Sequence, residues 1–157
     1  MPDGVQSEIQ QTKPFASPEQ AAFITILRTA ECLQAKNADF LKRFDLSPTQ
    51  YNALRILRGA GKDGLPCSEV GDRMINRDPD ITRLLNRLEK RGLVKRSRSD
   101  EDRRVILARI TAAGQALLRK LDRPVDQFLE KLLGHLAQKK LLDLVELLDA
   151  ARNTATI

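Results

Sequence analysis

The fold of this chain is decided by residues 78–104, which read DPDITRLLNRLEKRGLVKRSRSDEDRR. Asp78 can cap a helix, Pro79 suits its first position and Gly92 suits its end, so a helix is predicted over 79–91. At about 100° per residue, one face of this helix is apolar: Ile81, Leu84, Leu85 and Leu88. The opposite face is polar and mostly basic: Arg83, Asn86, Arg87 and Lys90. The pattern predicts that one face packs and the other meets a negatively charged partner.

The segment after this helix predicts a β-hairpin. Residues 93–99 and 105–110 are short runs with β-branched residues, and five charged residues separate them, as in two strands joined by a loop. A short helix from Cys67 to about Ile75 comes before, and its Gly71 allows close approach of another helix. The order predicts a winged helix-turn-helix in a mainly α-helical protein. The alternative is an ordinary helix with a solvated basic face, which the agreement of helix and turn signals disfavours.

The positive charge is concentrated in this same part of the chain. Twelve basic and six acidic residues lie between Arg73 and Arg109, an excess equal to the net charge of +6 of all 157 residues. The remaining residues therefore sum to zero. Such a concentration is the footprint expected of a protein that binds a polyanion.

Both ends of the chain predict helices. Residues 17–20 (SPEQ) and 47–50 (SPTQ) are helix start signals, each with a capping Ser and with Pro at the first position. Thr111 can cap a long helix, in which Pro124 predicts a kink or break near residues 122–123. A last amphipathic helix is predicted to end near Arg152. The leucine content of these helices exceeds what a small winged domain can cover, so pairing with a second subunit is predicted.

These signals divide the chain into three parts. Residues 1–16 are predicted to be a mobile N-terminal segment. Residues 17–45 and 111–152 are predicted to form a helical dimerisation layer, and residues 46–110 a DNA-binding lobe. The alternative to a homodimer is a monomer whose terminal helices pack only on each other. Groove-reading helix-turn-helix proteins usually bind two half-sites, which favours the dimer.

Several classes of function find no support in the sequence. No apolar run approaches the roughly 18 residues of a membrane span, and the N-terminus lacks an apolar signal region, so a cytoplasmic location is expected. Cys32 and Cys67 have no metal-ligand spacing, and both are predicted to be buried and unreactive. With His135 as the only histidine, no catalytic, metal or cofactor site is predicted.

The order of these elements resembles the MarR family of bacterial transcriptional regulators over residues 20–150. The resemblance is most specific in ITRLLNRLEKRGLV at 81–94, DEDRR at 100–104 and ITAAG at 110–114. It implies a homodimer with interlocking terminal helices, two winged lobes on a pseudo-palindromic operator, and release by a small, often aromatic or phenolic, effector. It also implies that helix 79–91 enters the major groove and that Arg104 reaches the minor groove. Asp100 and Asp102 would hold Arg103 or Arg104 in place.

The residues expected to contact double-stranded DNA follow from this placement. Arg83 and Arg87 can make bidentate contacts to guanine or phosphate, Asn86 can read adenine, and Thr82 offers a methyl group to thymine. Ser68 lies near a helix start, where phosphates bind. The full set is Ser68, Arg77, Asp80, Thr82, Arg83, Asn86, Arg87, Lys90, Arg96, Arg98, Arg103 and Arg104.

Two other functions stay open at the level of sequence. One is a regulator on the same fold that senses oxidation through Cys32 or Cys67, since a thiol near a helix start can have a lowered pKa. The other is a winged-helix module that binds proteins and never contacts DNA. The confinement of the positive charge to the helix and hairpin favours the DNA-binding regulator, most plausibly a repressor.

Overall fold

A computed structural model of the chain describes residues 4–77 and 80–153. The helices in these residues are α1 (Val5–Glu8), α2 (Pro18–Lys42), α3 (Pro48–Ala60), α4 (Cys67–Asp72), α5 (Ile81–Lys90), α6 (Ala112–Leu133) and α7 (Gln138–Arg152). The strands are β1 (Leu65–Pro66), β2 (Val94–Arg98) and β3 (Ile106–Ile110). The predicted mainly α fold with a winged helix-turn-helix and helices at both ends is confirmed.

Side-chain caps explain where the main helices begin. Ser17 accepts a hydrogen bond from the Gln20 amide, and Thr111 accepts one from the Gly114 amide. At Ser47 the capping box is complete, because Gln50 also bonds back to the Ser47 amide. Each cap satisfies an amide that the first helical turn leaves without an intrahelical partner.

The wing is a three-stranded antiparallel sheet in the order β1-β3-β2. The predicted hairpin is β2 and β3, paired with Val94 opposite Ile110 and Arg98 opposite Ile106. Strand β1 was not predicted, because its two residues are too short to show a period. Gly64 makes it possible: its φ is +72°, and a β-carbon there would lie 2.4 Å from the Ala108 carbonyl oxygen.

One core joins the lobe to α6 and to the end of α2. Its members that are fully shielded from solvent are Leu41, Ala53, Leu54, Leu57, Val70, Leu85, Leu88, Ala108, Leu118 and Leu121. Gly71 of α4 faces Ile81 of α5, with 3.6 Å from an added β-carbon to the isoleucine side chain. The close approach of the two helices predicted from Gly71 is therefore present.

Helix α5 begins later than the sequence predicted. It starts at Ile81, and Asp80 caps it by accepting a bond from the Arg83 amide. Asp78, predicted as the cap, and Pro79, predicted as the first helical residue, lie outside the described residues. Helix α4 ends at Asp72 rather than near Ile75, because the Ile75 amide donates to the Asn52 side chain at 2.8 Å instead of continuing the helix.

The sequence predicted a kink or a break near residues 122–123; helix α6 continues through Pro124, so it has no break there. Proline removes one backbone hydrogen bond, but packing holds the helix on both sides. Leu121 is fully buried, and the Phe128 ring stacks on Phe40 of α2 at 4.4 Å between ring centroids. Arg58 of α3 also donates to both carboxylate oxygens of Asp122 at 3.0 Å.

The N-terminal part of the chain includes one element that its sequence did not predict. Residues 5–8 form the one-turn helix α1, and Glu8 pairs with Arg28 of α2 at 3.4 Å. Four residues are too few to show a helical period.

No helix in residues 4–77 and 80–153 has both the length and the apolarity needed to cross a bilayer.

Candidate nucleic-acid interface

Helix α5 presents opposite faces to the core and to solvent. Leu84, Leu85 and Leu88 are buried on the inner face. Thr82, Arg83, Arg87 and Lys90 are exposed on the outer face. The side chains of these four form no ion pair or hydrogen bond with any residue of 4–77 and 80–153. Their donors are therefore available to a partner from outside the chain.

A polar clamp joins α5 to the wing. Glu89 accepts three bonds from Arg96 of β2: from the amide at 2.8 Å, from Nε at 3.0 Å and from Nη2 at 2.8 Å. The same Nη2 donates to Asn86 at 3.2 Å. The hydrogen bonds from Arg96 lower the pKa of Glu89. This clamp holds strand β2 of the wing against the C-terminal half of α5.

The wing tip holds an arginine that projects into solvent. Asp102 Oδ1 accepts bonds from the Arg104 amide at 3.0 Å and from Nε at 3.2 Å, and the Arg104 side chain is 91% exposed. The side-chain bond from Arg104 lowers the pKa of Asp102. Beside it, Arg98 donates to the Arg103 carbonyl at 3.1 Å, and the Arg103 side chain is exposed. Asp102 thus holds Arg104 through hydrogen bonds to its amide and guanidinium, whereas the exposed Asp100 forms no hydrogen bond or ion pair with Arg103 or Arg104.

The remaining predicted contacts lie just before α5. Ser68 is the second residue of α4 and is exposed, and Arg77 is exposed in the turn that follows. Asp80 is exposed but acts as the cap of α5. Its carboxylate supports the helix start that would approach DNA.

The two cysteines differ from each other. Cys32 is exposed, so its predicted burial is wrong; the apolar stripe of α2 does not meet the core at that turn. Cys67 is half-buried, and burial raises the pKa of its thiol, with Arg96 opposing and Glu89 adding to the effect. A raised pKa reduces the reactive thiolate, which disfavours Cys67 as an oxidation sensor. The described residues contain no cluster of His, Cys, Asp and Glu able to hold a metal.

Comparison with known proteins identifies the scaffold. The model of the MarR family matches residues 46–106. The transcriptional regulator YfiV of Bacillus subtilis (strain 168), an HTH-type protein, is 36% identical over 131 residues, which are 83% of this chain and 75% of YfiV. The chain belongs to the MarR family. The protein is accordingly a DNA-binding transcriptional regulator and not an enzyme.

A solved structure agrees with the MarR assignment, and a further relative is named as an operon repressor. The crystal structure of a MarR transcription factor from Planctomyces limnophilus is 41% identical, with a TM-score of 0.67, and the match covers 87% of this chain and 99% of that one. The homoprotocatechuate degradative operon repressor of Escherichia coli is 25% identical over 126 residues, 80% of this chain and 84% of the repressor.

The predicted contact residues differ in how they are engaged. Arg83, Arg87 and Lys90 are exposed on α5 with no side-chain partner among residues 4–77 and 80–153, and Arg104 projects from the wing. Arg96 and Asn86, predicted as DNA contacts, are engaged within the chain: Arg96 donates to Glu89 and also to the Asn86 side chain. The role of Glu89 could not be predicted from the sequence, because its hydrogen bonds with Arg96 form only when strand β2 packs against α5.

Proposed function

We propose that the protein is a repressor that binds a pseudo-palindromic operator as a homodimer and is released by a small effector. The observation that carries the proposal is a set of exposed side chains on α5 that have no partner within the described part of the chain: Thr82, Arg83, Arg87 and Lys90. With Arg104 projecting from the clamped wing, the lobe offers one element to the major groove and one to the minor groove. It would act in the cytoplasm, where bacterial DNA lies.

The homodimer is supported by the apolar surface of the terminal helices. Phe23 is 63% exposed on α2, and Leu142 and Leu147 are 59% and 69% exposed on α7. Large exposed apolar patches mark interaction sites. Two copies joined through these faces would present two lobes, with half-site centres about one helical turn, ~34 Å, apart.

The effector is proposed to be a small aromatic or phenolic molecule. Support comes from the Escherichia coli relative, whose name describes a repressor of a homoprotocatechuate degradative operon. Such a ligand would act by binding better to a conformation in which the two lobes no longer match the operator. Replacing both Cys32 and Cys67 with Ser should leave this response intact, because neither thiol is needed for it.

The experiment that tests DNA recognition compares Arg83→Ala with Arg104→Ala, on operator and scrambled duplexes at several salt concentrations. Arg83→Ala should cost about 1–3 kcal/mol on the operator and relax preference at particular base pairs. Arg104→Ala should weaken binding according to A·T content beside each half-site, because minor-groove width attracts arginine. Arg119→Ala, on the exposed side of α6, is the matched control. Affinities indistinguishable from wild type for both test variants would show that Arg83 of α5 and Arg104 of the wing do not contact DNA, and would overturn this mode of recognition.

A further inference from the structure

A basic pocket lies on the side of α5 away from the wing. It has a volume of about 610 Å³ and is formed by the end of α2, the loop before α3 and the C-terminal half of α5. The polar residues that line it include Lys42, Asp45, Gln50, Arg87, Lys90 and Arg91. Three separate elements therefore contribute to one concave surface.

The charges of this pocket are not balanced within the described chain. Arg91 is neutralised, since it donates to the Asp45 carbonyl at 2.7 Å and its Nη2 lies 3.4 Å from the Asp45 carboxylate. Lys42, Arg87 and Lys90 have no carboxylate partner among residues 4–77 and 80–153. Like charges around a concave surface raise the local positive potential and attract an anion. Lysine and arginine together favour phosphate oxygens.

The position of the pocket around α5 indicates where that phosphate comes from. Glu89 faces the wing through Arg96. At about 100° per residue, Arg83 and Lys90 follow in the middle of the outer face, and Arg87 and Arg91 lie beyond them, toward α3. A helix in the major groove, about 12 Å wide, has a sugar-phosphate backbone on each side. The wing lies toward one backbone and the pocket toward the other.

We propose that this pocket receives a backbone phosphate of the bound duplex, on the groove wall opposite the wing. Lys42, Arg87 and Lys90 contact the phosphate, and the Arg91–Asp45 pair holds the α2–α3 loop against α5. The inference rests on the proposed placement of α5 in the major groove. It adds Lys42, a residue of α2 outside the winged lobe, to the DNA-binding surface. A movement of α2 relative to α5 would then open the pocket and weaken DNA binding.

The test is the salt dependence of DNA binding by Lys42→Gln, with Lys36→Gln as its control. Both lysines are exposed on α2, and only Lys42 lines the pocket. Lys42→Gln should lower affinity about two- to fivefold, as expected for an exposed charge contact. The loss should be equal on operator and scrambled duplexes, and the log–log salt slope should fall by roughly 0.9. Lys36→Gln should bind like wild type, and circular dichroism should show both variants folded.

A methylphosphonate scan of the operator locates the contact. Wild type should lose affinity when one phosphate on that groove wall is made neutral, and Lys42→Gln should lose less there, because only the contacts of Arg87 and Lys90 remain to be removed. If Lys42→Gln keeps the wild-type salt slope while Arg83→Ala loses base preference, the pocket assignment is overturned and the proposed function stands. If neither substitution changes DNA binding, the proposed function fails as well. A third outcome is that wild type binds pyrophosphate, that Lys42→Gln does not, and that both bind DNA equally well. That result would assign the pocket to a free anion and overturn the DNA contact.

Discussion

Leucine side chains are buried in the winged lobe but exposed on the last helix, α7. Leu54 and Leu85 in the lobe are fully buried, whereas Leu142 and Leu147 on α7 are more than half exposed, and α7 has no buried residue. Burial of a leucine contributes about 1.5–3 kcal/mol. The lobe obtains that stabilisation within one chain, whereas the terminal helices leave it available to another surface.

Helix α2 is buried at its C-terminal end and exposed at its N-terminal end. Phe40 and Leu41 near its C-terminus are buried in the lobe core, and Phe40 stacks on Phe128 of α6. Phe23, near its N-terminus, is exposed. One helix is therefore anchored in the lobe core at one end and exposed at the other.

The largest effect expected from this comparison is on Leu54→Ala. It removes a fully buried side chain from the lobe core and should lower the free energy of unfolding by about 2–5 kcal/mol. The loss should not depend on protein concentration, because the core lies within one chain. Urea unfolding at low and high micromolar concentration measures this. A cost below that of an ordinary surface substitution would show that the lobe core is not the main source of stability.

The next prediction is that Leu147→Asp disrupts dimerisation through the exposed face of α7. A carboxylate on the exposed face of α7 must be desolvated if that face is covered by a second chain, which is costly without a partner charge. We expect the variant to sediment as a monomer at a concentration where the wild type sediments as a dimer, while the lobe remains folded. Lys139→Asp, an exposed position on the same helix, tests whether a new acid alone is responsible. A Leu147→Asp dimer as tight as the wild type would place the interface elsewhere.

The smallest effect concerns pH and the clamp between α5 and the wing. Arg96 lowers the pKa of Glu89 in the folded state. The carboxylate therefore contributes stability above its ordinary pKa, and that contribution is lost as the pH falls through the lowered value. The urea midpoints of wild type and Glu89→Gln should differ at about pH 6 and converge as the pH falls below the ordinary glutamate pKa of about 4.3. Asp102, whose pKa is also lowered, titrates in both proteins and cancels in the difference. A gap that widens on acidification would contradict the assignment.

Much of the fold was predictable because its signals are local. The capping serines at 17 and 47 and Thr111 mark helix starts, and the apolar spacing of Leu84, Leu85 and Leu88 marks a packed face. The two-residue strand β1 was missed because it exists only through its pairing with β3. Continuity of α6 through Pro124 depends on contacts to Phe40 and Arg58 on other helices. The low helix propensity of proline, taken alone, predicts a break at this position.

The sequence by itself determined the order of the elements, the winged helix-turn-helix and the concentration of positive charge in residues 73–109. These follow from spacing, capping and charge, which depend only on neighbours along the chain. Only the tertiary structure decided which basic residues are free. Arg96 is held by Glu89, and Arg91 by Asp45, while Lys42 comes to lie beside Arg87 and Lys90. The physical reason is that an ion pair or a pocket requires side chains to meet in space, and residues 42 and 87 become neighbours only after α2, α3 and α5 pack on one core.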